Sequence, residues 1–300
     1  MICSFDIGGS KIVAAEVDAS LNVTEIHRAA PPVSDFEGFC ELIVEATPQS
    51  ADAIGISIAG VANPVTGIIT CSNIPAIHGR SLQQHLTNRF KKAVYIMNDA
   101  NAFGLAESVD GCAIGHDTVF AAILGTGVGG ALVHNQRVVE GVYGTAGEWG
   151  HGPAAAIRTG VALPVFECGC GQAGCVDTHG GARGLERLHN HFSGENLTSH
   201  QIVSAWKTGD LAASGTIDVY IDVVGGALAN VVNIIGPSIV PVGGGMARDT
   251  QLIQALDNEV RKRCLAHIPS PLLHPTTDGP EKGLIGAALY AMEKNNAANA

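Results

Sequence analysis

Short apolar, β-branched runs recur along this chain and are punctuated by glycine turns. Residues 2–5 and 11–17 are two such runs, joined through Asp6-Ile7-Gly8-Gly9-Ser10, which predicts a β-hairpin. Ser34-Asp35-Phe36-Glu37 has capping-box spacing, and Phe36, Phe39, Ile43 and Ala46 follow at helical intervals. Residues 53–58 read as a buried strand ending at Gly60. Ser81 is expected to cap a second helix with Leu82, Leu86 and Phe90 on one face. Residues 93–97 read as another strand, after which Asn98 caps a helix from Asp99 to about Ser108. That order predicts an α/β layered domain.

The pattern then restarts. A strand at 118–124, the glycine turn Gly125-Thr126-Gly127-Val128-Gly129-Gly130 and a strand at 131–134 repeat the strand, turn, strand of the first residues. This predicts an internal duplication. Residues 217–235 form a long apolar helix stopped by Gly236-Pro237. A strand at 239–242 leads into Gly243-Gly244-Gly245, and residues 250–266 and 282–292 look helical, with a frayed tail at 295–300. The expected division is a smaller α/β domain, 1–115 plus the C-terminal helix at about 282–300, and a larger one, 116–281. No Pro- or Ser-rich linker separates them, so a hinge is expected.

Composition narrows the function classes. A chain of 300 residues, 46% apolar and 15% charged, is a compact globule with ample core. The formal net charge is −11 and there is no basic run, which argues against nucleic acid as a partner. No apolar stretch is read as approaching the roughly 20 residues of a membrane helix, so no membrane partner is expected. The start, Met1-Ile2-Cys3-Ser4-Phe5-Asp6, lacks the features of a signal peptide. Cys3, Cys40, Cys71, Cys112 and Cys264 are scattered in apolar contexts and read as buried thiols, which points to a reducing cytoplasm.

The remaining cysteines are different. Cys168-x-Cys170-x4-Cys175, threaded with glycines, has the form of a metal knuckle, and His151 is the nearest upstream histidine to complete a Cys3His set for structural zinc. Unliganded thiols are the alternative. Glycine turns at 8–9, 125–130 and 243–245 are candidates for phosphate, because exposed amides can approach without a Cβ in the way. None is a P-loop, and a strand follows the second, which disfavours a dinucleotide fold. Asp6 closes a strand beside the first turn and suits Mg²⁺ held through water, or a plain turn cap. Asp99, where a strand meets a helix, is either a general base or part of a helix cap. Glu148 and His151, in a glycine-rich loop, are suited to vicinal hydroxyls.

Taken in order, Asp6-Ile7-Gly8-Gly9-Ser10-Lys11, Asn98-Asp99-Ala100-Asn101-Ala102, Leu124 to Gly130, Gly147-Glu148-Trp149-Gly150-His151 and the cysteine knuckle resemble the ROK family (repressor, open reading frame, kinase) of bacterial sugar kinases. The resemblance spans residue 1 to about 292. It implies an α/β chain with a two-domain actin/hexokinase-like fold, a duplicated ribonuclease-H-like unit with an interdomain cleft. It also implies ATP, Mg²⁺ and transfer to a hexose 6-hydroxyl. Carried over by motif, Asp99 would be the base, and Asn73, Asn98, Asp99, Glu148, His151 and Asp177 would bind sugar. His151 would share zinc with Cys168, Cys170 and Cys175. Gly8, Gly9, Ser10 and Lys11, with Gly125, Thr126, Gly127, Val128 and Gly129, would cradle phosphates, with Asp6 alongside. Gly243, Gly244 and Gly245 would lie near the adenosine. A homodimer is implied.

Within the family, Ser72-Asn73-Ile74-Pro75-Ala76 and the insert 152–167 are similar to members acting on N-acetylglucosamine. N-acetylmannosamine, glucose or fructose remain as other acceptors. Three departures bear on this. Asp177 stands where the family has Glu, Ser57-Ile58-Ala59-Gly60 replaces a G-x-P-G turn, and Ser10 replaces Thr. The first two bear on the choice of sugar. A non-catalytic sugar sensor is the reading from another class. The family's repressors carry a helix-turn-helix ahead of the first strand, whereas strand one here begins at residue 2.

Overall fold

A computed structural model describes residues 1–71, 73–276 and 281–299. Ser72 of the 72–76 segment and Ala300 of the expected tail lie outside the described residues. The chain divides into two units: Met1–Gly111 with Gln136–Ala146 and Asp278–Ala300, and Cys112–Asn135 with Gly147–Thr277.

The first unit opens with the expected hairpin, β1 (Ile2–Ile7) and β2 (Ile12–Val17), extended by β3 (Val23–Ala29), which the apolar pattern did not reveal. After α1 (Phe36–Ala46) come β4 (Ala53–Ile58), the two-residue strands β5 (Val61–Ala62) and β6 (Ile69–Thr70), α2 (Leu82–Phe90), β7 (Ala93–Asn98) and α3 (Asp99–Asp110). The sheet runs β3-β2-β1-β4-β7. β1, β4 and β7 are parallel, and β4 is buried at every position, as a strand covered on both faces must be. Cys3, Phe5 and Ile7 pack in one core with Phe39 and Ile43 of α1 and Leu82 and Leu86 of α2.

Two expected caps differ in detail. Asp35, not Ser34, caps α1 by accepting from Gly38 N. Ser81 precedes α2 without a side-chain cap bond, its hydroxyl lying toward Thr66 O instead.

The second unit repeats the scheme. β8 (Thr118–Leu124) and β9 (Val128–His134) form an antiparallel hairpin. The chain revisits the first unit through β10 (Arg137–Val138), whose Val138 packs with Met97, Ala102 and Leu105. Back in the second unit come α4 (Asp177–Gly180), α5 (Ala182–Ser193), α6 (Ser199–Lys207), α7 (Leu211–Ile235), β11 (Val240–Gly243), α8 (Thr250–Arg263) and β12 (Leu273–Pro275). Within this unit the strand order is β9-β8-β11-β12, with β8, β11 and β12 parallel. That is the arrangement of β2-β1-β4-β7, so the duplication read from the glycine turns is present in the topology.

α7 qualifies by length and apolarity as a membrane span, which corrects the reading that no stretch approaches that length. Its apolarity serves the core: Ile217, Tyr220, Val224, Leu228 and Val232 are buried among β8, β11, α6 and α8. It also carries Asp218 and Asp222. Arg158 of the insert pairs with Asp218 and Glu259, while Arg263 pairs with Asp222 and Glu259. This network anchors the insert 152–167 to α7 and α8.

The C-terminal helix α9 (Glu281–Asn299) belongs to the first unit and stays helical through the stretch expected to fray. Ser4 Oγ donates to Leu284 O at 2.6 Å. Close approach fixes its composition: a Cβ on Gly286 would fall 1.9 Å from Ala102 O of α3.

Candidate functional site

In the first unit the parallel register brings the carboxyl ends of β1, β4 and β7 to one edge, where ligands bind in open α/β sheets. Ile7 pairs with Ile58, which pairs with Asn98, and Asp6 pairs with Ser57. Ser57 Oγ donates to Asp6 Oδ1 at 3.1 Å, a contact that sequence reading missed because Ser57 registered there only as a departure from a family turn. Gly8 N donates to Lys11 O at 3.0 Å and closes the turn, and Gly9 lies against exposed Asn73.

Asn98 is the N-cap of α3: its Oδ1 accepts from Ala100 N and Asn101 N, and its Nδ2 donates to Gly60 O. Among the described residues, one amide hydrogen of Asn98 has no further partner. Asp99, in the first helical position, accepts from Ala100 N at 2.9 Å.

Burial pushes the Asp6 carboxyl above the ordinary range, against the opposing pull of the Ser57 hydroxyl and the Lys11 charge. A raised folded-state value means the stability linked to protonation is full below the ordinary Asp range and lost as pH rises through the raised value. Asp6→Asn is therefore expected to raise the melting temperature of the metal-free protein by about 3 °C at neutral pH. The gain should vanish toward acid. A calorimetric series from pH 4 to 8 checks this; a lower melting temperature at neutral pH contradicts it.

In the second unit the glycine segment splits in two. Leu124 pairs with Val128, so only Gly125, Thr126 and Gly127 make the turn. Gly129 and Gly130 lie in β9, which corrects their place in an extended phosphate turn. A Cβ on Gly130 would sit 2.6 Å from the Trp149 ring, whose Nε1 donates to Gly129 O at 2.8 Å. Trp149 thereby seats the 147–151 loop, a role the motif alone did not disclose. The Gly125 amide donates to Gly127 O and the Val128 amide to Asp177 Oδ1, at 3.0 and 2.7 Å. The Thr126 and Gly127 amides have no backbone acceptor among the described residues.

Beside this turn lies the exit of β11. Gly244 has φ +90, and a Cβ there would meet Leu124 O at 2.4 Å. Gly245 and Met246 then border a cavity of about 200 Å³ whose other walls are Ser199, His200, Val203, Ser204 and Lys207 of α6 and Arg248 and Asp249. Sequence reading placed nothing at α6, although Thr198-x-x-Gln201 forms a complete capping box.

The cysteine loop closes on His151. One ring nitrogen of His151 and the three Sγ atoms of Cys168, Cys170 and Cys175 all lie within 4.8 Å of one another. The Cys168 Sγ to His151 Nδ1 distance is 3.6 Å, and the Cys170 Sγ to Cys175 Sγ distance is 3.8 Å. A tetrahedral zinc site with its usual bond lengths has S–N and S–S edges of about 3.5 and 3.8 Å. The donor set therefore fits zinc in type, number and spacing. Burial pushes the Cys168 and Cys175 thiols up, the latter to about 12, while the Gln172 amide draws Cys170 down. His151 Nε2 lies 3.5 Å from Glu148 Oε2. Burial and the Asp177 charge raise the Glu148 carboxyl, and His151 opposes them.

The ROK family profile matches residues 2–294. An N-acetyl-D-glucosamine kinase of Pectobacterium atrosepticum is 33% identical over 98% of this chain and all of that protein. Among solved structures, a ROK hexokinase from Thermus thermophilus superposes with a TM-score of 0.85 at 28% identity, covering 99% of both chains. A ROK glucokinase from Streptomyces griseus, in complex with glucose and AMPPNP, gives 0.78 at 25% identity, covering 97% of this chain and 99% of that one.

Proposed function

Because the chain belongs to the ROK family, we propose that it is an ATP:hexose 6-phosphotransferase whose acceptor is N-acetyl-D-glucosamine. The observation that carries the reading is the divided imidazole of His151. Its Nδ1 faces the thiol cluster, so the proton belongs on Nε2, next to the Glu148 carboxylate. A donor and an acceptor so paired suit two adjacent sugar hydroxyls. The full-length likeness to an N-acetyl-D-glucosamine kinase supports the choice of sugar.

Asp99 accepts the proton of the 6-hydroxyl as the γ-phosphoryl group moves in line. Asn73 and the remaining amide hydrogen of Asn98 hold the sugar. Gly8, Gly9, Ser10 and Lys11 are phosphate-binding groups, and so are the amides of Thr126 and Gly127. Gly243, Gly244 and Gly245 and the adjoining cavity take the adenosine. Asp6 would hold Mg²⁺ through water, which supplies charge neutralisation at the phosphates. His151, Cys168, Cys170 and Cys175 would hold zinc, which supplies rigidity. The two units serve as the two domains of the fold. Pairing as a homodimer follows the family resemblance, and free cysteines throughout the described residues suit a reducing cytoplasm.

Purified protein with ATP, Mg²⁺ and a panel of sugars tests the reading through ADP release. N-acetylglucosamine should exceed N-acetylmannosamine, glucose and fructose in kcat/KM by at least about tenfold. A different leading sugar overturns the acceptor, and no sugar-dependent ADP release overturns the activity.

A further inference from the structure

We propose that Asp177 is a positioning residue for the phosphate turn, tying the cysteine knuckle to Gly125–Gly127. The proposal rests on the kinase reading for its nucleotide arm only.

Asp177 follows the last knuckle cysteine by two residues. Its Oδ1 accepts from Val128 N at 2.7 Å, and its Oδ2 lies 3.8 Å from Cys168 Sγ. Oδ1 is thus committed to the turn, and the tie to the knuckle runs through the backbone, two residues after Cys175. The turn closes directly over this carboxylate. A Cβ on Gly127 would sit 2.2 Å from Asp177 Oδ1, so only glycine admits the contact.

Backbone bonds run the same way. Ala182 N donates to Gly125 O at 2.8 Å, just past the end of α4, and Val176 N donates to Gly152 O at 2.9 Å beside the Glu148–His151 loop. A Cβ on Gly181 would meet Thr126 O at 2.4 Å, so the α4–α5 junction lies flat on the turn. One segment, 175–182, therefore joins the metal-ligand cluster to the turn. The shorter side chain at 177 also has a physical reason here. A Glu at this position would carry its carboxylate one methylene further and past the Val128 amide. The residue that departs from the family is the one that reaches the turn.

Asp177→Ala, Asp177→Asn and wild-type protein, each measured at matched metal content, test the assignment. Amide hydrogen exchange over 124–130 reads the tether itself. Titration with a non-hydrolysable ATP analogue and with N-acetylglucosamine separates the two ligands. Loss of a hydrogen bond to a charged acceptor should speed Val128 exchange and weaken the ATP analogue by about tenfold in Asp177→Ala. Sugar affinity should fall by less than the affinity for the ATP analogue. Asp177→Asn, which keeps an oxygen facing the amide, should recover most of both losses. Unchanged exchange in Asp177→Ala overturns the proposal, and so does a selective loss of sugar affinity. Should the wild type transfer no phosphoryl group to any sugar, the kinase reading fails, while the exchange measurement still decides the tether.

Discussion

Asp99→Asn is expected to lower turnover about 10³-fold while sugar affinity stays within about threefold. The substitution is nearly isosteric. The Asn oxygen can still accept from Ala100 N, the bond Asp99 makes at 2.9 Å, so the first turn of α3 keeps its geometry. Asn98 continues to cap the helix through Ala100 N and Asn101 N. What disappears is the group that accepts a proton. Steady-state kinetics paired with calorimetric sugar titration separates the two effects. Near-normal turnover would reject Asp99 as the base. A collapse of sugar affinity equal to the loss of turnover would make it a binding residue.

The second large effect is expected at the knuckle. Cys170→Ala should lower the melting temperature by on the order of 10 °C and weaken sugar binding at least about tenfold. Cys170 is exposed, so truncating it opens no core cavity. The losses must come from the metal-ligand set. They should fall together, because His151 turns one nitrogen to the thiols and the other to Glu148. Chelating the wild-type protein should reproduce both changes, and readdition of zinc should reverse them in the wild type but not in the variant. Unchanged melting after complete chelation would remove zinc from the account.

Much of the architecture was legible from local pattern. Apolar, β-branched runs and the glycine turns marked β1, β2, β8 and β9, and Gly236, with φ +64, ends α7 where its sequence places the stop. β3 was hidden because most of its side chains are exposed and no apolar alternation is needed there. α5 and α6 were missed between the glycine-rich knuckle and the long apolar helix, although Leu185, Leu188, Ile202 and Val203 are their buried positions. The cysteine spacing by itself picks out three of the four side chains that cluster in the fold. His151 is marked only by its place upstream and by the family motif, and folding brings its ring to the sulfurs.

What the chain determined on its own was the kind of chemistry it could support: thiols for a soft cation, amides for phosphate, a carboxylate at the end of a strand and start of a helix. Those follow from residue type and spacing over a few positions. Tertiary structure decided which group faces which. It turned Gly130 into a seat for Trp149, set Ser57 against Asp6, and bent Asp177 onto the Val128 amide. These contacts link residues 19 to 51 positions apart. Their partners are chosen by sheet register and close packing, which no local pattern encodes.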